Sequence, residues 1–581
     1  MPDERLRASK ALLKWLDHGG PSPSSYRTGK GAPPLTHWSG KVEIVGDEDN
    51  ILLRATSTLE QGHFVLAVAM TSVMHPRSEA IAPARRHQVE VAAAALRRSA
   101  SWATPLVDGS DEGRLELIVL LAIELLELES SVWKPYLQSL PTAESCAPPS
   151  LWRWACGDTG AAELLRDTSI GATLAQDDAD LEAILGSSAS LSIAAMLGVE
   201  AADEDKARGA LLRALALVST RLVSGAGMVP LLDLVNGASA GEHNATIERT
   251  NLAASQTAPE QAPCVAVITS RRVEKGEELL LNYGQLSAAK FLYKYGWLVG
   301  GPDSASASTS SHDVAAVVPR GLLPSLRPSQ RAVFERYKLS AAKLGLDAAQ
   351  PSECPFSVPV PQAAEGKTTP LMRQVALLAS CADDAALKEI AATGKMGDKH
   401  GVSPADIGAC VLGWCTAHAT QLASNADAAA THRARLAIRV RRGEREGLLR
   451  WAGALQAKHS LDASLVAPAT EAHKAANKAT KQAFKKAAGR TATTQSPSTQ
   501  QQQAAARTAA APTASTAASA AANGGGGGKV CASCGAEVRK KFCESCGAKW
   551  VAPDGSAPSQ QMAALSVGPP APELEPELEL D

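Results

Sequence analysis

The sequence predicts an α+β fold, and three observations carry that prediction. Residues 41–45, 52–56 and 64–70 show the alternation or short apolar runs of strands, with Glu60-Gln61-Gly62 turning between the last two. Residues 264–269 and 278–281 form a second strand-like pair, joined through Glu274-Lys275-Gly276-Glu277, where glycine permits a tight turn. Residues 115–128, 206–223 and 432–449 have helical length and apolar spacing, so helices lie on both sides of the second strand pair.

At 581 residues the chain is long enough for two or more domains with a sizeable core. A formal net charge of −2 provides no global field for nucleic acid or membrane. No apolar run approaches the ~18 residues of a membrane-spanning helix. The start carries acidic residues and no long apolar stretch, and is read as neither a secretory signal nor a cleaved organelle peptide. Of the 11 cysteines, those from Cys146 to Cys415 sit in mostly apolar surroundings, as buried thiols of an intracellular protein do.

In chain order, residues 1–40 read as a short helix, apolar at 12–16 and closed by Gly19-Gly20-Pro21, then a loop rich in Ser, Pro and Gly. The strands of 41–70 follow. Residues 115–128 read as a largely buried helix broken only by Glu116, Glu124 and Glu127, and Trp133, Pro135, Tyr136 and Pro141 then make a rigid corner. Residues 150–226 look helical, the last helix carrying Thr220-Arg221. Residues 320–456 turn helical again, at 374–378, 407–412 and 432–449. Residues 457–528 are mainly Ala, Thr, Gln and Lys, end in a glycine run from Gly524 to Gly528, and lack the large apolar residues that folding needs. Truncation after residue 460 is therefore expected to leave the melting of the main body unchanged.

The chemistry concentrates between Met228 and Leu298. An apolar run ends in Asp233 and Asn236, then comes His243-Asn244-Ala245. A strand runs into Asn282-Tyr283-Gly284, and a helical stretch delivers Tyr295-Gly296. Singly, such tyrosines are core aromatics with satisfied hydroxyls. The order D-L-x-N, H-N-A, G-E-E-L-x-L-N-Y-G and F-L-x-x-Y-G-W, however, resembles the C-terminal half of a SET domain, in the branch that contains the Rubisco large-subunit lysine methyltransferases. The likeness covers about residues 8–455 and includes the Trp133-to-Pro141 corner.

The resemblance implies a β-rich SET domain at 41–300 with a pseudoknot and a helical insert at about 150–226. It also implies an all-α substrate-binding domain at 320–456 and S-adenosylmethionine as cofactor. Matched residue by residue, it places Arg221 and Asn236 at the cofactor, with Gly237 beside them and Asp49, Asn50 and Ile51 in the N-terminal cofactor loop. Tyr283 falls on the catalytic tyrosine, which also borders the cofactor, and Tyr295 on the second catalytic tyrosine. Two departures stand out. The family's loop glycines fall on Asn50 and Leu52, although backbone must approach the cofactor there; asparagine adopts positive φ readily and leucine only at a cost. Gly237 stands where the family has histidine, and His243 belongs to the downstream H-N-A element.

Near the end, Cys531-Ala-Ser-Cys534 and Cys543-Glu-Ser-Cys546 form two knuckles, each followed by glycine. That spacing puts four thiolates within reach of one tetrahedral zinc, and no βαβ context supports a redox pair instead. Residues 529–551 are read as a zinc ribbon on the linker, with the metal a fold stabiliser and the ribbon a possible docking point for a protein partner. Residues 552–581 form an acidic tail. The full chain is expected to carry one zinc, lost on Cys534→Ser; elemental analysis finding none overturns the assignment.

The leading expectation is thus a monomeric protein-lysine methyltransferase acting on a protein substrate, without membrane or clear nucleic-acid signals. Two alternatives stay open. One is a catalytically silent SET-fold binding module with a zinc-ribbon adaptor, favoured by Asn50, Leu52 and Gly237. The other is a histidine methyltransferase, against which retention of Tyr295-Gly296 counts. Cytoplasm or nucleus is favoured over chloroplast, with the compartment left open.

Overall fold

The structure, a computed structural model, describes residues 4–17, 36–46, 51–100, 113–186, 192–200, 203–238, 242–252, 262–284, 286–298, 313–317, 322–340, 344, 356–393, 401–423, 431–467, 469–472, 474–479 and 482. The predicted zinc ribbon, with Cys531, Cys534, Cys543 and Cys546, lies outside the described residues, as do Asp49 and Asn50.

Helix α1 (Glu4–Asp17) precedes strands β1 (Thr36–Trp38), β2 (Val42–Gly46), β3 (Ile51–Ala55) and β4 (Phe64–Ala69). Helices α2 (Pro83–Ser99) and α3 (Arg114–Leu126) follow, then α4 (Lys134–Ser139), α5 (Ala143–Cys146), α6 (Trp152–Cys156), α7 (Thr159–Leu164), α8 (Gly171–Leu185), α9 (Ile193–Leu197) and α10 (Glu204–Arg221). Strands β5 (Asn236–Ala238), β6 (Ala245–Leu252), β7 (Ala262–Thr269) and β8 (Leu280–Asn282) and helix α11 (Ala288–Tyr295) complete this half.

Among the described residues, six strands form one sheet in the order β1-β4-β7-β6-β8-β5. Most neighbours are antiparallel, but β5 and β8 run parallel, with Asn236 opposite Leu280, Gly237 opposite Leu281 and Ala238 opposite Asn282. A parallel pair needs a crossover, and β6 and β7 supply it. Strands β2 and β3 form a separate hairpin. It hangs on the segment before β8 through Leu279 N–H to Leu53 O (2.9 Å) and Ala55 N–H to Glu277 O (3.0 Å). The core beneath holds the continuous buried run from Leu117 to Ile123 of α3, together with fully buried Trp133, Tyr136 and Trp152.

Strand β1 falls in the stretch read as a loop, and α2 and β6 also escape sequence patterning. Helix α2 reads PARRHQVEVAAAALRRS, and alanine supplies half of its buried face (Ala92 and Ala93 beside Val89 and Leu96), which leaves little apolar contrast. Strand β6, ATIERTNL, is not among the strands expected from the sequence; its backbone ladder with β7, from Ala245↔Thr269 to Leu252↔Ala262, holds it rather than apolar alternation. The strand expected at 278–281 is Leu280–Asn282, with Glu278 in an isolated bridge to Arg54.

The second half comprises β9 (Val314–Ala316), α12 (Leu322–Ser325), α13 (Pro328–Arg336), β10 (Ser357–Pro359), α14 (Val360–Ala363), α15 (Pro370–Ser380), α16 (Asp384–Thr393), α17 (Pro404–Ala423) and α18 (His432–His459). Helix α18 has 28 residues, a length of ~42 Å, and serves two cores. Leu436, Ile438 and Val440 join the core of the sheet-bearing half, while Leu448, Trp451 and Leu455 join that of the helical half. The boundary expected at 457 is not where packing ends: α18 runs to His459, Ala469 is buried in the second core, and Arg445 donates to Asn477 Oδ1 at 2.8 Å. Small residues such as Ala469 bury little area by themselves and carry no linear pattern, which is why this stretch reads as linker. Truncation at 460 is now expected to lower the melting of the helical half. No helix among the described residues is long and apolar enough to cross a membrane.

A buried polar junction lies along α18. Arg441 Nη1 donates to Leu164 O (2.7 Å), and Glu444 accepts from Ser169 N–H (3.1 and 3.0 Å) and its hydroxyl. Burial pushes the Glu444 carboxyl up to about 7, with Ser169 and Arg441 opposing and Asp313 adding to the shift. A folded-state value above the unfolded one means that this residue's contribution is full below the ordinary glutamate range and is lost as pH rises through about 7. Glu444→Gln keeps an acceptor for Ser169 and is neutral, so its loss of stability between pH ~4.5 and ~7 should be shallower than wild type, by on the order of 2–3 kcal/mol. Urea midpoints across pH check this; parallel wild-type and variant curves reject it.

Candidate active site

Helix α10 ends at Arg221, and the chain turns through Val223 and Gly227 to pair Met228 with Met74 (both N–H···O bonds 3.0 Å). Leu231 then adopts φ 67° although it is fully buried and not glycine. Left-handed backbone costs a leucine ~1–2 kcal/mol, a strain that its burial in the core offsets. The bend starts a short 3₁₀ turn, Leu232–Leu234, which packs against β3 and presents Asp233 just before β5. Ile51, the first residue of β3, is buried.

Strand β5 lies beside β8, which ends one residue before Tyr283. The Tyr283 hydroxyl donates to Val235 O at 3.0 Å. Its ring centroid is 4.4 Å from that of Tyr295 and 6.2 Å from Phe291, and Phe291 meets Trp297 edge-on at 5.0 Å. The Tyr295 hydroxyl points back to Tyr283 O at 3.4 Å. Burial pushes the Tyr283 phenol up to about 12, and burial followed by the neighbouring Tyr283 raises that of Tyr295. Both phenols therefore stay protonated at neutral pH. With its proton engaged on Val235, the Tyr283 oxygen offers lone pairs to an incoming N–H donor.

Helix α11 is held by Ser287, whose side chain caps Lys290 N–H, and by Tyr293, whose hydroxyl donates to Asp177 Oδ2 at 2.8 Å. The helix ends on Gly296 at φ 78°, where a Cβ would lie 2.7 Å from Ala147 O. The glycine after Tyr295 is thus needed both for its conformation and for close approach to α5.

The charges of Arg221 and Asp233 reach both Tyr283 and Tyr136. Arg221 Nη1 reaches Thr220 Oγ1 at 2.7 Å. Arg221 Nε, Asp233 Oδ1 and Tyr136 Oη are buried without a well-formed hydrogen bond, although the Tyr136 hydroxyl and the Asp233 carboxyl are close enough to act on each other. Burial pushes Asp233 up to about 6 against the opposing charges of Arg221 and Arg5, and burial followed by the Asp233 charge raises Tyr136. Asn236 Nδ2 donates to Glu278 Oε1 at 2.8 Å, which ties β5 to the segment before β8; burial raises the Glu278 carboxyl.

The structure therefore brings Tyr283, Tyr295, Asn236, Gly237 and Arg221 into one region. It adds Asp233, Tyr136 and Glu278 to that region, and Asn244 as its staple. The Asn244 Nδ2 donates to Glu278 O (2.7 Å) and Glu277 Oε1 (3.1 Å), and its Oδ1 accepts from Leu280 N–H (2.8 Å). Sequence reading placed Tyr136 in a packing corner and Asn244 in a motif without a role; neither has a local pattern that marks it as buried in the site.

No known family model matches the sequence, and no curated protein matches it. Similar solved structures include the SET domain of LSMT bound to lysine and AdoHcy, at TM-score 0.46 and 16% identity over 78% of this chain and 92% of that one. Rubisco LSMT bound to AdoMet is similar at TM-score 0.45 and 15% identity, with the same shares of each chain covered.

Proposed function

We propose that this protein is an S-adenosylmethionine-dependent methyltransferase that modifies the side-chain amine of lysine in a protein substrate. The observation that carries the reading is the pair of protonated phenols, ring to ring at 4.4 Å, with the charge of Arg221 acting on Tyr283 and the buried Arg221 Nε lacking an acceptor. The motif order of the sequence agrees with it.

The residues present fit the cofactor. Arg221 Nε is a buried donor in want of an acceptor, and a guanidinium suits a carboxylate. Asn236, on the strand beside Tyr283, would border the remainder, with Ile51 on the facing hairpin. When bound, S-adenosylmethionine supplies a methyl carbon on a positively charged sulfur. The acceptor lysine must first lose a proton to solvent, because an ammonium has no lone pair, and desolvation between the phenols favours that loss. Tyr283 then accepts one amine N–H, which directs the nitrogen lone pair away from the ring and toward the methyl. Tyr295 walls the acceptor channel. The C-terminal helical half holds the substrate protein, and the four C-terminal cysteines hold structural zinc.

A non-catalytic binding module is the competing reading, favoured by Gly237 and by commitment of the Asn236 amide to Glu278. Calorimetry with S-adenosylmethionine separates the two. Wild type should bind, and Asn236→Ala should lose ~10-fold or more in affinity, as loss of a hydrogen-bonding group to a ligand does. Incubation with labelled cofactor and protein extract, followed by mass spectrometry, should find methyl on lysine. No binding by wild type overturns the enzyme; label on histidine redirects the acceptor.

A further inference from the structure

Gly237 sits in mid-strand, opposite Leu281, and outside the left-handed region. Its backbone conformation would suit any residue, so conformation does not call for glycine here. Space does. A Cβ at 237 would lie 2.3 Å from Tyr283 Cδ2, 2.5 Å from Cγ and 2.6 Å from Cε2. No real side chain meets a ring at such distances, and the ring cannot swing aside freely. Its hydroxyl is tied to Val235 O at 3.0 Å, and Tyr295 packs against it at 4.4 Å.

The geometry points to Gly237 as the seat of the Tyr283 ring: the bare backbone of β5 receives the ring face, and this, with Val235 O, sets where the phenol oxygen stands. Gly237 is then a positioning residue that acts through Tyr283, distinct from a cofactor contact. Its bearing on catalysis rests on the methyltransferase reading; the seat itself does not.

The test is Gly237→Ala in the full chain, alone and with Tyr283→Ala. The single variant should lower the urea midpoint and let one more of the chain's six tyrosines ionise below about pH 11 than in wild type. With the ring removed by Tyr283→Ala, the added Gly237→Ala should cause no further loss, a non-additivity expected of groups in direct contact. In the active enzyme, Gly237→Ala should cut kcat by ~10²-fold while cofactor affinity changes by less than ~3-fold. Equal losses of stability in both backgrounds, or an unchanged tyrosine titration, overturn the seat. If the single variant does not fold, a folded double variant supports the seat, and a double variant that stays unfolded while Tyr283→Ala folds overturns it. Midpoints and titration are read without cofactor, so absence of methyl transfer alone rejects the function and leaves the seat standing.

Discussion

Tyr283→Phe is expected to abolish measurable methyl transfer while leaving cofactor affinity nearly unchanged. The change removes one hydroxyl and keeps the ring, so contacts with Tyr295, Phe291 and the Gly237 backbone persist. The stability cost should be the single bond to Val235 O, ~1 kcal/mol. Loss of a preorganised contact at the reacting centre is typically worth ~10²–10³ in rate. The phenol's upward shift to about 12 adds a constraint on mechanism. A group protonated throughout the neutral range cannot serve as the base that titrates in a pH–rate profile, so any rise in rate with pH should be that of the acceptor amine. A single-turnover methylation assay beside calorimetry decides the matter. Retention of wild-type rate by Tyr283→Phe rejects the positioning role, and loss of cofactor binding would show that the hydroxyl supports the fold of the site instead.

Asn244→Ala is expected to have the largest effect on stability. Asn244 is completely buried, and its amide closes three hydrogen bonds to the segment from Glu277 to Leu280. Alanine leaves Glu278 O without its 2.7 Å partner and Leu280 N–H without its 2.8 Å partner. Buried groups left without partners cost ~1–3 kcal/mol each, so a total of ~3–5 kcal/mol is expected. Asn244→Asp should also destabilise, since a carboxylate accepts from Leu280 but cannot donate to Glu278 O and faces Glu277. Urea titration reads this as a lowered midpoint at constant slope. A loss below ~1 kcal/mol for Asn244→Ala would show that solvent replaces the amide and that the staple is not structural. Because the same segment leads directly into β8 and Tyr283, residual folded protein should also transfer methyl slowly.

What the sequence determined by itself is local. The strands at 42–46, 51–55, 64–69 and 262–269 and the helices α3, α10 and α18 announce themselves because each buries a face whose period is written in its own residues. The ordered motifs around Asn236, Tyr283 and Tyr295 were legible for a related reason: strand end, helix start and closing glycine are set by neighbours in the chain. Only the tertiary structure decided the rest. The parallel register of β5 and β8 is a choice between distant backbones and leaves no periodic trace. The convergence of Arg221, Asp233 and Tyr136 joins residues from three separate elements. Glycine at 237 reads as a missing histidine until the ring of Tyr283 is seen against it. Helix α18 shows one continuous amphipathic pattern, yet its two ends enter different cores, because a rigid rod of that length outreaches either. Periodicity reports which face a segment hides; it carries no information about what that face is hidden against, and at this site that second fact sets the chemistry.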